Sequence, residues 1–191
     1  MGREFELKFR ADEAKIAAIA AKYGDFTSIS METTYYDTPA RALSPLHWTL
    51  RRRYENGKSV CTLKTPAPGG ARGEWEVECL DILSAIPELC KLGAPIQLVA
   101  YTIDGVEQVC GAKFTRLAKV LEPENCTVEL ALDRGCLMGG GREAPLREVE
   151  VELKDGSEEA AIAFAAALAE EFGLVPEHGS KYRRALALAQ K

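Results

Sequence analysis

Glu4-Phe5-Glu6-Leu7-Lys8 alternates charged and apolar residues, and Phe9-Arg10 carries the alternation on. As an extended strand it would set Glu4, Glu6, Lys8 and Arg10 on one face and Phe5, Leu7 and Phe9 on the other. One such strand is ordinarily the solvated edge of a half-buried sheet. Here the pattern repeats. Glu148-Val149-Glu150-Val151-Glu152-Leu153-Lys154 has it near the other end, as do Arg72-Gly73-Glu74-Trp75-Glu76-Val77-Glu78 and Glu129-Leu130-Ala131-Leu132-Asp133. Basic counterparts occur in Leu50-Arg51-Arg52-Arg53, where Arg51 and Arg53 share a face, and in Cys61-Thr62-Leu63-Lys64, where Thr62 and Lys64 do.

The 191 residues, 47% hydrophobic and 28% charged, suit a soluble globular protein of one domain spanning 1–191. A net charge of −5 argues against a broad nucleic-acid surface, which needs basic excess over a whole face. The six cysteines show no Cys-x-x-Cys spacing, and the chain opens on Met-Gly-Arg-Glu without an apolar leader, so reduced thiols in a cytoplasmic protein are expected. His47 and His178 leave little material for a histidine zinc site or a Ser-His-Asp triad. A metal would have to be held by carboxylates.

Between these strands the sequence predicts an α+β chain. Asp12 caps a helix carrying Ile16, Ile19, Ala20 and Tyr23, and Gly24 stops it. A strand over 26–36 ends at Asp37-Thr38-Pro39, and residues 48–55 and 59–65 form a hairpin about Asn56-Gly57. Residues 66–70 read as a flexible loop, 72–79 as a strand and 83–92 as a helix interrupted or begun by Pro87. Residues 97–108 carry no firm signal. Strands follow over 109–121 and 126–133, with Arg134-Gly135 as the turn beyond and Gly139-Gly140-Gly141 as a turn or mobile loop. Ser157 caps a helix to Phe172, apolar nearly all round over 160–169 and so due for burial on the strands' outward faces. Ser180 to Arg184 leads into a short helix over 185–189.

Two arrangements accommodate many strands with one charged and one apolar face. Either the charged faces meet water over a sandwich core, or the sheet closes with the charges inside and the helices packed on the apolar outside. A lipid-facing barrel is disfavoured by the helices, the missing leader and the lack of aromatic girdles, so no membrane is expected. Carboxylates buried together need cations, and Lys8, Arg51, Arg53, Lys64 and Arg116 can serve some of them. The remaining acids suit hard divalent ions, and the remaining bases suit an anion. A metal–polyphosphate complex answers both needs.

The residues in hand resemble the CYTH family, also called triphosphate tunnel metalloenzymes, which includes inorganic triphosphatases, thiamine triphosphatases and class IV adenylate cyclases. Glu4-x-Glu6-x-Lys8 is similar to its N-terminal signature. Tyr35-Tyr36-Asp37-Thr38-Pro39, Leu50 to Arg53, Thr62-Leu63-Lys64, Arg72 to Glu76, Glu129 to Gly135 and Glu148 to Lys154 resemble its later motifs in order. The resemblance implies a closed antiparallel eight-stranded β-tunnel with a charged interior, and a metal-dependent triphosphatase, a phosphoric anhydride hydrolase. Glu4, Glu6, Glu150 and Glu152 would hold Mg²⁺ or Mn²⁺. Lys8, Arg51, Arg53, Lys64 and Arg116 would be catalytic and, with Lys181, would grip the triphosphate. Glu74, Glu76, Glu129, Asp133 and Glu148 would orient those bases or complete the metal shell. Some relatives carry a further base where this chain has Phe114, and Lys113 or Lys119 is the candidate substitute. The expected partner is a triphosphate-containing small molecule, first inorganic tripolyphosphate, bound by a monomer or homodimer. Thiamine triphosphate hydrolysis, cyclisation of ATP, and a polyphosphate- or nucleotide-binding module without turnover are the alternatives.

Overall fold

The computed structural model describes residues 5–66 and 72–190. Glu4 and most of the Pro66–Gly70 loop therefore lie outside the described residues. The elements run β1 (Glu6–Arg10), α1 (Glu13–Tyr23), β2 (Thr27–Asp37), β3 (Thr49–Glu55), β4 (Lys58–Pro66), β5 (Arg72–Glu78), α2 (Ile82–Lys91), α3 (Gln97–Tyr101), β6 (Glu107–Leu121), β7 (Cys126–Gly139), β8 (Arg142–Gly156), α4 (Glu158–Phe172), β9 (Val175–Pro176) and α5 (Lys181–Ala189). All strands join one antiparallel sheet of nine, in the order β5-β4-β3-β2-β6-β7-β8-β1-β9, one more than the eight the resemblance implies, because the two-residue β9 pairs with the free edge of β1. Among the described residues no ladder joins β5 to β1 or β9.

Local chemistry places the elements much as their sequences require. Asp12, Asp81 and Ser157 cap α1, α2 and α4 by accepting from the amides of Lys15, Ser84 and Ala160. Asn56 and Gly57, both at positive φ, turn β3 into β4. Pro87 sits inside α2. Residues 97–101, which gave no clear signal, form α3, whose single buried side chain is Leu98.

The apolar outward face is covered in two places. Phe9, Val128, Leu130, Val149 and Val151 pack under Ile16 and Ile19 of α1 and Ala161, Ala165 and Leu168 of α4. Leu50, Cys61 and Leu63 pack under Ile82, Ile86 and Leu89 of α2 and Leu98 of α3. Burial of α4 is narrower than its composition predicts, because a helix lying on a sheet covers one stripe, and Ile162 on its far side is 47% exposed. No helix among the described residues is long and apolar enough to cross a membrane.

Three expectations are corrected. Arg134-Gly135 is not a turn: β7 runs through it to Gly139, paired residue for residue with β6 and β8. Gly135 reads as a turn residue in sequence, but its function is close approach, since a Cβ there would meet the Lys113 carbonyl oxygen at 2.1 Å. Secondly, α5 begins at Lys181, capped by Ser180, and not at Ala185. Finally, α5 does not lie on the outside. Its Tyr182 and Ala185 pack with Met31, Tyr35, Phe114 and Leu146. Those strand residues have the same parity as Ile29, Arg116 and Glu150, so the face they share is the inner one. The sheet's inner surface turns apolar beyond the row of Arg116, Asp133 and Glu148, and α5 fills that end.

Gly139 is where α5 sits closest to the sheet: a Cβ there would lie 2.2 Å from the Ala185 carbonyl oxygen. Gly139→Ala should therefore overpack this junction and destabilise the protein by about 1–3 kcal/mol, read as a lowered Tm in thermal denaturation. An unchanged Tm would mean that α5 is not seated on β7 as described.

Candidate functional site

Strands from both ends of the sheet order face one cavity of about 320 Å³. Glu6 and Lys8 come from β1, Arg51, Arg53 and Glu55 from β3, and Lys64 from β4. Glu74 and Glu76 of β5, Arg116 of β6, Glu129 of β7, Glu150, Glu152 and Lys154 of β8, and Ser180, Lys181 and Tyr182 at α5 join them, beside uncharged side chains of β2 and β3. The alternation seen in the sequence thus does converge: the charged faces line one cavity. Among the described residues seven acids and seven bases line it, so their formal charges balance.

The charges are sorted by wall. On β3, β4 and β5, Arg51 lies 3.6 Å from both Glu74 and Glu76, Lys64 lies 3.2 Å from Glu74, and Thr62 donates to Glu76 at 2.9 Å. Arg53 is half-buried, with Glu55 at 3.2 Å and a hydrogen bond to Thr33 at 3.3 Å. Burial, then the neighbouring Arg51 and Arg116 guanidiniums, push the Arg53 pKa down. Arg53, within Coulombic reach of Arg51 on its own strand and of Arg116 across the cavity, makes the space between them the place for an anion.

The opposite wall holds a buried ion cluster. Arg116 donates to both carboxylate oxygens of Asp133 at 2.8 Å, contacts Glu150, and has Glu129 at 4.0 Å. Lys181 Nζ sits among Asp133 at 2.9 Å, Glu150 at 2.6 Å and Glu148. Glu148 also accepts from Arg184, which reaches Glu177 at 3.5 Å. Asp133, Glu148 and Glu150 offer oxygen atoms close enough together for a metal ion, and the ammonium of Lys181 stands where such an ion would. Against the cost of desolvation, Lys181 and Arg116 hold Glu150 well below the usual carboxylate range. Burial pushes its neighbour Glu148 up to about 7, although Lys181 opposes it.

A second acidic group is more open. Glu6 is directly opposite Glu152, and Glu152 directly opposite Glu129, on three adjacent strands. Like charges in facing positions destabilise a sheet unless a cation joins them. Lys8 at 2.8 Å from Glu6, and Lys154 at 2.8 Å from Glu152 and 3.9 Å from Glu129, supply part of that.

Other residues singled out by the sequence fall elsewhere. Arg10 is at the rim, 61% exposed and 3.7 Å from Glu177. Phe114 underlies Lys181, whose Nζ is 5.4 Å from the ring centroid. Lys113 pairs with Glu32 at 3.6 Å on the outside, and Lys119 donates to the carbonyls of Tyr23 and Gly24. Neither lysine replaces a base at Phe114, because odd positions of β6 point away from the cavity. Lys154, Glu55, Tyr182 and Arg184 were missed as site residues. Lys154 and Glu55 continue the parity of their strands and were readable in principle, whereas Tyr182 and Arg184 join only because α5 enters the inner face.

A charged, strand-lined cavity with an arginine wall and an acidic wall defines a class of protein that handles an anion together with a cation. The family model for the CYTH domain matches residues 2–186, and the chain belongs to that family. It is 26% identical over 166 residues to the inorganic triphosphatase of Haemophilus influenzae, covering 86% of this chain and 47% of that protein. The chain spans about half the length of the curated relatives it matches. The fold is similar to that of the PH1819 protein of Pyrococcus horikoshii, with a TM-score of 0.64, 24% identity, and coverage of 97% of this chain and 99% of that one. It is also similar to a proposed adenylyl cyclase from Hippeastrum described as having a dominant triphosphatase activity, with a TM-score of 0.67, 17% identity, and coverage of 98% and 97%.

The raised Glu148 has a thermodynamic consequence. Between its ordinary value of 4.5 and about 7, the folded chain holds a proton that the unfolded chain has lost. That contribution to stability is complete below 4.5 and disappears as pH rises through 7. Calorimetric Tm should therefore show a downward component as pH rises through this window, and Glu148→Gln should flatten it. An unchanged slope in the variant would show that Glu148 is ionised throughout.

Proposed function

We propose that this protein hydrolyses a triphosphate, inorganic tripolyphosphate first, in a metal-dependent reaction inside the curled sheet, which works as a closed tunnel. The observation that carries this reading is the Arg51–Arg53–Arg116 group: guanidiniums that face one cavity and are largely out of water, with the carboxylate partners of Arg51 and Arg53 at 3.2–3.6 Å. Arginine's planar fork matches phosphate oxygens in pairs, which a small neutral ligand would not exploit. Family membership supports the reading, and the name of the Haemophilus relative agrees with it.

The acids fit a divalent ion of the Mg²⁺ or Mn²⁺ type, because Glu6, Glu152 and Glu129 are hard oxygen donors set in a row with incomplete neutralisation. Glu4, two residues before Glu6 in the sequence, would join them. We assign Glu150 a divided role, since Lys181 and Arg116 already occupy it. When bound, the ion would polarise a phosphoryl oxygen and offset the charge of the triphosphate. Since the charges of the described lining balance, cation and polyanion should bind with positive coupling, each offsetting the charge of the other.

In hydrolysis, water attacks the terminal phosphorus while the bond to the bridging oxygen breaks, and negative charge grows on the leaving diphosphate. Arg51, Arg53 and Lys64 would hold that charge, with Lys8 on the facing wall. Glu74 and Glu76 would fix the Arg51 and Lys64 side chains. Arg116 would present its Nη1 to the substrate, its other nitrogens being spent on Asp133 and Glu150. Lys181 would act mainly as the counter-ion of Asp133, Glu148 and Glu150. The protein would work in the cytoplasm as a monomer or homodimer, with no nucleic acid and no membrane; the six free cysteines agree with a reducing compartment.

Phosphate release from tripolyphosphate, thiamine triphosphate and ATP, with Mg²⁺ or Mn²⁺ and with chelator, tests the reading. Tripolyphosphate should be turned over fastest, and activity should vanish on chelation. Arg53→Ala should lower kcat/KM by roughly 10²-fold or more at any metal concentration, the scale of one lost transition-state donor. Glu152→Gln should raise the metal concentration needed, with excess metal restoring part of the rate. Tight calorimetric binding of tripolyphosphate without release under any metal would replace the enzyme with a binding module. Cyclic nucleotide formed from ATP would replace hydrolysis with cyclisation.

A further inference from the structure

The first turn of α5 reaches two walls at once. Lys181 goes to Asp133 on β7 and to Glu148 and Glu150 on β8. The next residue, Tyr182, goes to β2 and the segment after it. Its ring packs on Tyr35 with centroids 5.2 Å apart, and its hydroxyl lies 2.8 Å from Ser44 Oγ. Successive helical side chains diverge by about 100°, so neighbouring residues on one turn are suited to span a gap.

The Ser44 end of this contact is rigid. Asp37, the last residue of β2, is wholly buried and accepts from the amides of Thr38 at 2.7 Å, Leu43 at 2.9 Å and Ser44 at 3.0 Å. It also accepts from the Ser44 hydroxyl. Each contact ties the segment 38–44 back to the end of β2. A carboxylate acting as acceptor takes the one proton Ser44 has, so Ser44 can only accept from Tyr182. The chain of hydrogen bonds therefore runs one way, from Tyr182 Oη to Ser44 Oγ to Asp37. Burial pushes the Tyr182 phenol up, which keeps it a donor. The rest of α5 is fixed independently, where Gly139 lets the Ala185 carbonyl and the Ala189 amide approach β7.

We propose that Tyr182, acting through Ser44 and Asp37, is a positioning residue: it braces α5 against β2 so that Lys181 stays centred among its three carboxylates. The brace sets the distance between the arginine wall, which β3 builds beside β2, and the acidic wall of β7 and β8. Its effect on turnover rests on the triphosphatase reading above; its effect on Lys181 does not. An ordinary core tyrosine would contribute its ring and nothing more. Here the hydroxyl is the part that matters, since it alone links the helix to the Asp37 anchor.

The test uses the full chain with Tyr182→Phe, Ser44→Ala and Ser44→Thr, each checked for folding by circular dichroism. By NMR, the parent should show a slowly exchanging tyrosine hydroxyl proton and a resolved ammonium signal from Lys181. Tyr182→Phe and Ser44→Ala should shift or broaden the Lys181 signal, and Ser44→Thr, which keeps a hydroxyl, should restore it. With tripolyphosphate, kcat/KM should fall roughly three- to tenfold in Tyr182→Phe, the scale of one lost hydrogen bond. In a Lys181→Met background the same change should cost nothing further, because the two act along one path. An unmoved Lys181 signal, or losses that add in the double variant, overturns the proposal. Should the parent neither bind nor hydrolyse tripolyphosphate, the functional reading falls and the NMR arm alone decides the brace.

Discussion

The structure depends on a lysine ammonium buried among three carboxylates. Asp133, Glu148 and Glu150 come from adjacent strands and are all but removed from water, and without Lys181 and Arg116 their mutual repulsion would cost several kcal/mol for each unpaired charge. The cluster is therefore conditional: β7 and β8 can present acids inward only if α5 and β6 supply the cations. Tertiary assembly and local charge are fixed together, since removing one partner strands the others in a low-dielectric interior.

That condition explains the unusual distribution of helices. The apolar sides of the strands face outward and are covered by α1, α4, α2 and α3, as burial of Val149, Val151, Leu50 and Leu63 requires. The inner face is charged for part of its length and then apolar. Leu146 and Phe114 take over where Glu148 and Arg116 leave off, two residues along each strand, and Ile29 and Met31 of β2 lie beside them. α5 closes this apolar end with Tyr182 and Ala185 while sending Lys181 toward the charged part. One short helix thus satisfies a hydrophobic surface and an electrostatic one.

The two walls of the cavity differ in how completely their charges are spent. In the buried cluster nearly every donor has an acceptor, which makes it a rigid support. Arg51 and Arg53 have longer ion pairs, Glu6 and Glu152 are more exposed with a lysine each, and rearranging them around a bound anion and cation costs less. Binding energy is best used where groups are aligned and under-satisfied, beside a support that does not move.

Strand alternation by itself determined which side chains share a face, because a period of two is a property of extended backbone and needs no tertiary information. The inward set Glu6, Lys8, Arg51, Arg53, Lys64, Glu150 and Glu152 was legible for that reason, as were the helix caps at Asp12 and Ser157 and the Asn56-Gly57 turn, whose preferences act within a few residues. The strand ends were not legible. Gly135 and Gly139 carry the local signature of turns, yet they are small so that Phe114 and Ala185 can approach, and that crowding exists only once β6 and α5 are in place. Sequence could also not say which acids are already neutralised. Glu150 and Glu152 are equivalent in spacing, but Glu150 is taken up by Lys181 and Arg116 whereas Glu152 faces Glu6, Glu129 and Lys154. The difference comes from residues far along the chain, brought together by the curl of the sheet and the entry of α5. Ionic partnership at that range is decided by tertiary structure.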